Sequence, residues 1–170
     1  MRKVSRPLTQ GEMAGLRPVF GDAVDVQRVR VHRGWDGNLL ALAAFWFGNR
    51  AIALGRHIHV ARGAYRDDYA GDAAGLGDFI VHEMVHVWQW AGRRLNPALY
   101  LSQYLTWPHR GYDVRHVTAA SRFDALGYDQ QAEVARLWFL ATCGAGAVSD
   151  AERLGPVLHQ CFPKPQREAL

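Results

Sequence analysis

The sequence predicts an α+β fold, mostly helical, with a small sheet drawn from residues 24–60. Three observations predict it. Thr9 with Glu12, and Ser149 with Glu152, have the spacing of capping boxes and mark helix starts near both ends of the chain. Valines alternate along "VDVQRVRVHR" (Val24 and Val26, then Val29 and Val31), as in a half-buried strand. The stretch "DQQAEVARLWFLATC" distributes apolar residues as a helix does. At 170 residues the chain is long enough for one domain with its own core. It has no repeat, low-complexity tract or linker, so residues 1–170 are read as a single domain.

The first helix starts at Thr9 and ends near Pro18 or Gly21. The valine strand follows, and "GWDGN" supplies a turn. "LLALAAFWF" is too short an apolar run for periodicity to separate helix from buried strand. "NRAIALGRHIHVARG" reads as two short strands around Gly55, with His57 and His59 on one face and Ile58 and Val60 on the other. The two histidines are expected to face solvent or a cleft; a second metal pair is the alternative. "YRDDYAGDAAGLGD" is polar and glycine-rich, hence a loop. It feeds a helix expected to be capped by Asp78 and stopped by Gly92. Asn96-Pro97 opens another helix. Residues 106–128 are irregular, and the last helix runs from Ser149 to about His159.

Composition excludes several classes. No apolar run approaches the roughly 20 residues needed to cross a bilayer. The basic N-terminus has no apolar segment behind it, so no removable signal peptide is expected. That implies cytoplasmic synthesis, and leaves export to a dedicated secretion system that needs no such signal. The formal charge of +4 comes from scattered arginines rather than a dense block. A solvated basic surface explains it, and no nucleic-acid partner is expected. A polyanionic partner is the alternative. Two cysteines cannot form a disulfide framework, and Cys143 is expected to be a buried small hydrophobe.

The chemistry concentrates in "FIVHEMVHVWQW", Phe79 to Trp90. On a helix, His82 and His86 stand one turn apart on one face. Their ring nitrogens can therefore approach one ion at about 2.0–2.1 Å. Glu83 lies to one side of the pair, where it can take a proton from a water beside the ion. The apolar residues around the trio leave no room for a solvated stripe, and an unpaired buried carboxylate costs several kcal/mol, on the order of a buried unpaired charge. A divalent cation removes that cost. Zinc is the expected ion, since imidazole and carboxylate suit it. It needs a further protein ligand. Asp129 and Glu133, four apart on a later helix, are the candidates. One can bind the metal, while the other accepts a hydrogen bond from the far nitrogen of a ligand histidine. As an alternative, Asp129 caps the helix start and Glu133 pairs with Arg136 at the surface.

The helix His82-Glu83-Met84-Val85-His86-Val87-Trp88-Gln89 resembles that of zincin metallopeptidases. More narrowly it is similar to a bacterial "Vgr-related" family of small proteins with an H-E-M-x-H-V-W-Q helix. "LTQGEMAGLRPVFGDAVDVQRVRV", "RAIALGRHIHV" and Asp129-Gln130-Gln131-Ala132 extend the resemblance. It implies a zincin-like domain in which Asp129 is the third ligand and Glu133 orients a ligand histidine. Such families carry Glu where this chain has Asp129, one methylene shorter, so either the helix sits closer or the two acids exchange roles. By the same analogy, the strand of residues 57–60 can bind an extended peptide along a free edge.

A hydrolase also needs a group beside the metal to stabilise an oxyanion. Tyr128, adjacent to Asp129, is the first choice, followed by His109 and His116, with Tyr112 also in the segment. Gln89 shares the face of His86 and can bind substrate, contact the strand below or cap a loop. Trp88, Trp90 and Trp138 are expected to meet where the two helices cross. The sequence reading is a zinc-dependent hydrolase, a metallopeptidase with Glu83 as general base acting on a peptide or protein. The alternatives are an accessory or effector-associated component of a type VI or contractile injection apparatus with a structural zinc, and a peptidoglycan-directed amidase or peptidase.

Overall fold

Thr9 caps the first helix as its spacing requires. Its hydroxyl accepts from Glu12 N at 3.1 Å, and Glu12 Oε2 accepts from Thr9 N at 2.8 Å. The computed structural model describes residues 5–92, 96 and 111–163. In it, β1 (Ser5–Pro7) leads into this helix, α1 (Gln10–Phe20), which ends at Gly21 with φ 49°. Glu12 is fully buried. It also accepts both terminal nitrogens of Arg6 at 2.7 Å each and Tyr69 N at 3.0 Å. One carboxylate thus joins the first strand, the first helix and the loop that leads to the helix of His82 and His86.

The valine stretch is not one strand. Val26–Arg28 forms a 3₁₀ turn, and the strand β2 spans Arg30–Arg33. Val24 and Val26 alternate on even positions, Val29 and Val31 on odd ones, so a continuous strand would put the two pairs on opposite faces. The turn absorbs the change of phase, and Val24, Val29 and Val31 are all buried. β3 (Ala51–Leu54) and β4 (His57–Val60) form the expected hairpin around Gly55. The sheet order is β1-β2-β4-β3: β2 and β4 are parallel, and the two outer pairs antiparallel. Its fourth strand, Ser5–Pro7, comes from outside residues 24–60. The expected α+β class holds.

His32, His57 and His59 gather on the sheet face opposite Val31 and Ile58. His32 Nδ1 donates to Asp36 Oδ2 at 2.7 Å, which leaves Nε2 to accept from His57 Nδ1 at 2.8 Å. His59 is buried, bonded to the Gly34 carbonyl and stacked on His32. The group ties β2 to β4 and holds the following turn, where Asp36 adopts a positive φ of 46°. His57 is exposed as expected; His59 is not. Burial first, then the neighbouring His32 and Arg30, hold the pKa of His57 low.

"LLALAAFWF" resolves as a helix. Asn38 caps α2 (Leu39–Trp46), accepting from Leu40 N and Ala41 N. It is not core, because only Ala41 is buried.

The helix that carries His82 and His86 starts earlier than Asp78. α3 (Ala73–Leu76) follows Asp72 and runs without interruption through a π-helical turn, Gly77–Val81, into α4 (His82–Ala91). Asp78 lies inside that turn and receives Arg136 at 2.8 Å instead of capping. α5 (Tyr128–Thr142) and α6 (Val148–Leu158) complete the described helices. Ser149 lies within α6, whose N-cap is Ala147 with no side-chain bond, so the expected capping box does not form. Cys143 is exposed, because it falls beyond the last turn of α5 rather than on its packed face; neither cysteine is bridged. The helix expected from Asn96-Pro97 lies outside the described residues, Asn96 excepted. No helix among the described residues is long and apolar enough to cross a membrane.

One buried cluster unites α1, the sheet, α4, α5 and α6. The tryptophans do not meet at the α4–α5 crossing. Trp88 packs on Phe123 and Phe162, Trp90 Nε1 donates to Ala53 O at 3.1 Å, and Trp138 packs against His159. Where α5 packs on the π turn, a Cβ on Gly77 would stand 2.9 Å from Leu140 Cδ2. The approach of α5 to the π turn therefore depends on glycine there.

Candidate metal centre

α4 places His82, Glu83 and His86 in the core, each at most 6% exposed. The π turn just before His82 sets the rotation at which they emerge. α5 crosses α4 and brings Asp129, in its first turn, to His86: Asp129 Oδ1 lies 3.4 Å from His86 Nε2. His82, His86 and Asp129 each offer a donor atom, and these atoms lie within 4.8 Å of one another. Glu133, one turn on, stands behind His82, its Oε2 at 3.9 Å from Nδ1. Arg136 holds that carboxylate at 2.6 and 2.8 Å and also reaches Asp78. Glu133 is thus both beside a histidine and in the arginine pair that the surface reading of the sequence considered.

His86 has a defined orientation. Gln89, fully buried, accepts from His86 Nδ1 at 2.8 Å. Its amide nitrogen donates to Tyr128 O and to Gln131 Oε1, both acceptors, so the amide cannot be turned over. Gln131 in turn donates to Phe123 O and Leu126 O. The i+3 spacing from His86 was the one sequence signal for this support, since it put Gln89 on the same helical face. Nothing local marked the Arg136–Asp78 contact, which joins segments far apart in the chain.

The remaining candidates separate. Tyr112 stacks on His82, ring centroids 5.6 Å apart, and lines the cleft above it. Tyr128 offers its carbonyl to Gln89, while its hydroxyl accepts from Asn96 N at 3.1 Å. His116 is exposed, and His109 lies outside the described residues. The cleft, about 540 Å³, is lined by Phe47, Arg50, Phe79, Glu83 and Tyr112 among others. β3 is the sheet edge next to α4, so the strand beside the cleft is residues 51–54 and not 57–60, which lies inside the sheet.

The electrostatics suit a cation. Burial raises Glu83 to about 7, and it lowers His82 to about 3 with the help of His86. Burial also works against the charge on His86, but the Asp129 hydrogen bond and the charges of Glu83 and Asp129 outweigh it and raise His86 to about 9. Glu83 Oε2 is buried without a hydrogen-bond partner, and Asp129 Oδ1, also buried, has only the long 3.4 Å approach of His86 Nε2. Two buried carboxylate oxygens so poorly satisfied beside two imidazoles form a donor set that fits zinc.

The family described as the eCIS core domain matches residues 7–94, a span that includes the sheet and all of α4. Among solved structures, the chain is similar to the effector domain of Pseudomonas aeruginosa VgrG2b. The two share 25% identity and a TM-score of 0.67, over 91% of this chain and 84% of that one. A search of curated proteins returns no match.

Proposed function

We propose, from the premise that the chain belongs to the eCIS core domain family, that it is an effector-associated component of a contractile injection system and that its α4–α5 centre is a zinc-dependent peptide hydrolase. The first half rests on the family and on similarity to a VgrG effector domain across most of both chains. Export through such an apparatus is the matching route of delivery.

The chemical half rests on one observation. Donor atoms of His82, His86 and Asp129 converge within 4.8 Å, and a buried oxygen of Glu83 beside them has no partner. Zinc bound there supplies Lewis acidity, which lowers the pKa of an adjacent water and polarises a carbonyl. Glu83, raised to about 7, can accept a proton from water and return it to the leaving amine near neutral pH. Gln89 keeps His86 Nε2 turned toward Asp129. Tyr112, in the cleft lining, is the phenol we assign to a substrate oxygen, ahead of Tyr128.

A structural zinc site would be closed by four protein ligands. Among the described residues the converging donors belong to three, and Glu133 is taken up by Arg136 behind His82. This favours an open position, and with it catalysis. The test combines elemental analysis with digestion of casein and of purified peptidoglycan. Wild type and Glu83→Gln should each carry one equivalent of zinc, His86→Ala none, and only wild type should hydrolyse. Cleavage of peptidoglycan alone assigns the wall-directed reading. Zinc retained with neither substrate cut assigns a structural metal, and full activity in Glu83→Gln removes Glu83 as the base.

A further inference from the structure

We propose that α2 docks the protein on an anionic membrane surface, lying flat against it. Leu39, Leu40, Leu42, Trp46 and Phe47 are 72, 66, 42, 86 and 72% exposed. They are five of the seven large apolar side chains exposed among the described residues. A contiguous apolar patch of this kind marks an interaction site rather than ordinary surface.

The shape of the patch indicates what covers it. At about 100° per residue, the five side chains span an arc of roughly 160°, and Ala41, the one buried residue of α2, lies opposite its centre. The helix is seated through Ala41, with Ala44 and Phe45 half-buried beside it, and turns its other bulky side chains outward. It contains no polar residue at all. A protein groove grips a narrower stripe recurring at three- and four-residue intervals over several turns. A broad convex apolar ridge two turns long fits a deformable lipid interface better. Trp46 stands at one end of it, and tryptophan favours the level of the headgroups.

Charge points the same way. From Gly37 to Arg66 the chain has no Asp or Glu, but it carries Arg50, Arg56, Arg62 and Arg66. Arg50 follows α2 directly and is exposed. Arg62 packs against Gly34, in the turn that precedes α2. Arg66 pairs with Asp72, so its charge is compensated locally. Cations flanking both ends of an apolar ridge complement anionic headgroups, and a short apolar helix needs that second attraction to bind a bilayer. Phe47 and Arg50 also line the cleft, so this docking brings the cleft to the membrane surface. The proposal does not depend on the metal-dependent reading.

The test is co-sedimentation of the full chain with large vesicles, either pure phosphatidylcholine or the same lipid with a quarter phosphatidylglycerol. Wild type should bind the anionic vesicles about tenfold more tightly than the neutral ones, and added salt should weaken that binding. Leu40→Gln/Trp46→Gln alters only exposed side chains and should reduce binding about tenfold or more, with an unchanged melting curve. Leu39→Gln/Leu42→Gln serves as the second pair should the first fail to fold. The proposal falls if wild type sediments with neither vesicle, or if the folded variants bind as well as wild type. It also falls if sedimentation velocity finds a wild-type dimer that the same substitutions disperse, since a second copy then covers α2.

Discussion

His86 donates through Nδ1 to Gln89 Oε1 at 2.8 Å, and this bond decides that Nε2 is the nitrogen facing Asp129. A buried amide therefore sets the tautomer of a candidate ligand, a task that usually falls to a carboxylate or a main-chain carbonyl.

Gln89→Leu keeps the volume and removes the bond. Zinc affinity should fall about 10–100-fold, as it does when the partner of a ligand histidine is lost. Competition with a chromophoric chelator measures it. An affinity equal to that of wild type would mean that packing alone orients the ring. Because Tyr128 O and Gln131 lose a donor, stability should also drop by about 1–3 kcal/mol, read from urea unfolding.

Asp129 and Glu133 should respond differently. Asp129→Ala removes a converging donor and should abolish stoichiometric zinc in equilibrium dialysis. Glu133→Gln should retain the metal with affinity reduced about tenfold, because it alters only the group behind His82. The reverse pattern would show that the two acids have exchanged roles.

The pH dependence follows from His86. Metal-free, its pKa is raised to about 9 from an ordinary value near 6.5. The native state therefore holds a proton that the unfolded chain has released between those values. Its stabilisation is complete below about 6.5 and is lost as pH rises through about 9. Glu83, raised to about 7, adds to the decline at the lower end of this window. His82, lowered to about 3, is neutral in the native state throughout it; the unfolded chain still releases its proton around 6.5, so His82 opposes the decline at the lower end and contributes nothing above about 7.5. The melting temperature of the metal-free protein should therefore fall from pH 6.5 to 9. Metal binding near pH 8 should release about one proton, from His86, since ligands must be deprotonated. Calorimetry in buffers of different ionisation enthalpy counts it, and no release at all would contradict the assignment.

Glu12→Gln tests the scaffold. The change leaves Arg6 without its buried anion and should cost about 3–5 kcal/mol in chemical unfolding. A loss below about 1 kcal/mol would show that the Arg6–Glu12–Tyr69 junction contributes little.

What the sequence alone determined was local. Thr9 and Glu12 cap a helix because their side chains reach one another's main chain three residues apart. His82 and His86 share a face because a helix repeats every 3.6 residues. Gly55 turns a hairpin, and the alternation of His57 with Ile58 sorts one strand's faces. None of this depends on distant partners. Tertiary structure decided the remainder. Asp129 meets His86 while Glu133 retreats to Arg136 because α5 packs across α4 and the π turn before it, where Gly77 admits Leu140. The most apolar stretch, α2, lies on the surface and His59 beneath it, the reverse of what hydropathy suggests. Burial is a property of how elements pack, and residues about forty positions apart approach only when two helices have chosen their crossing.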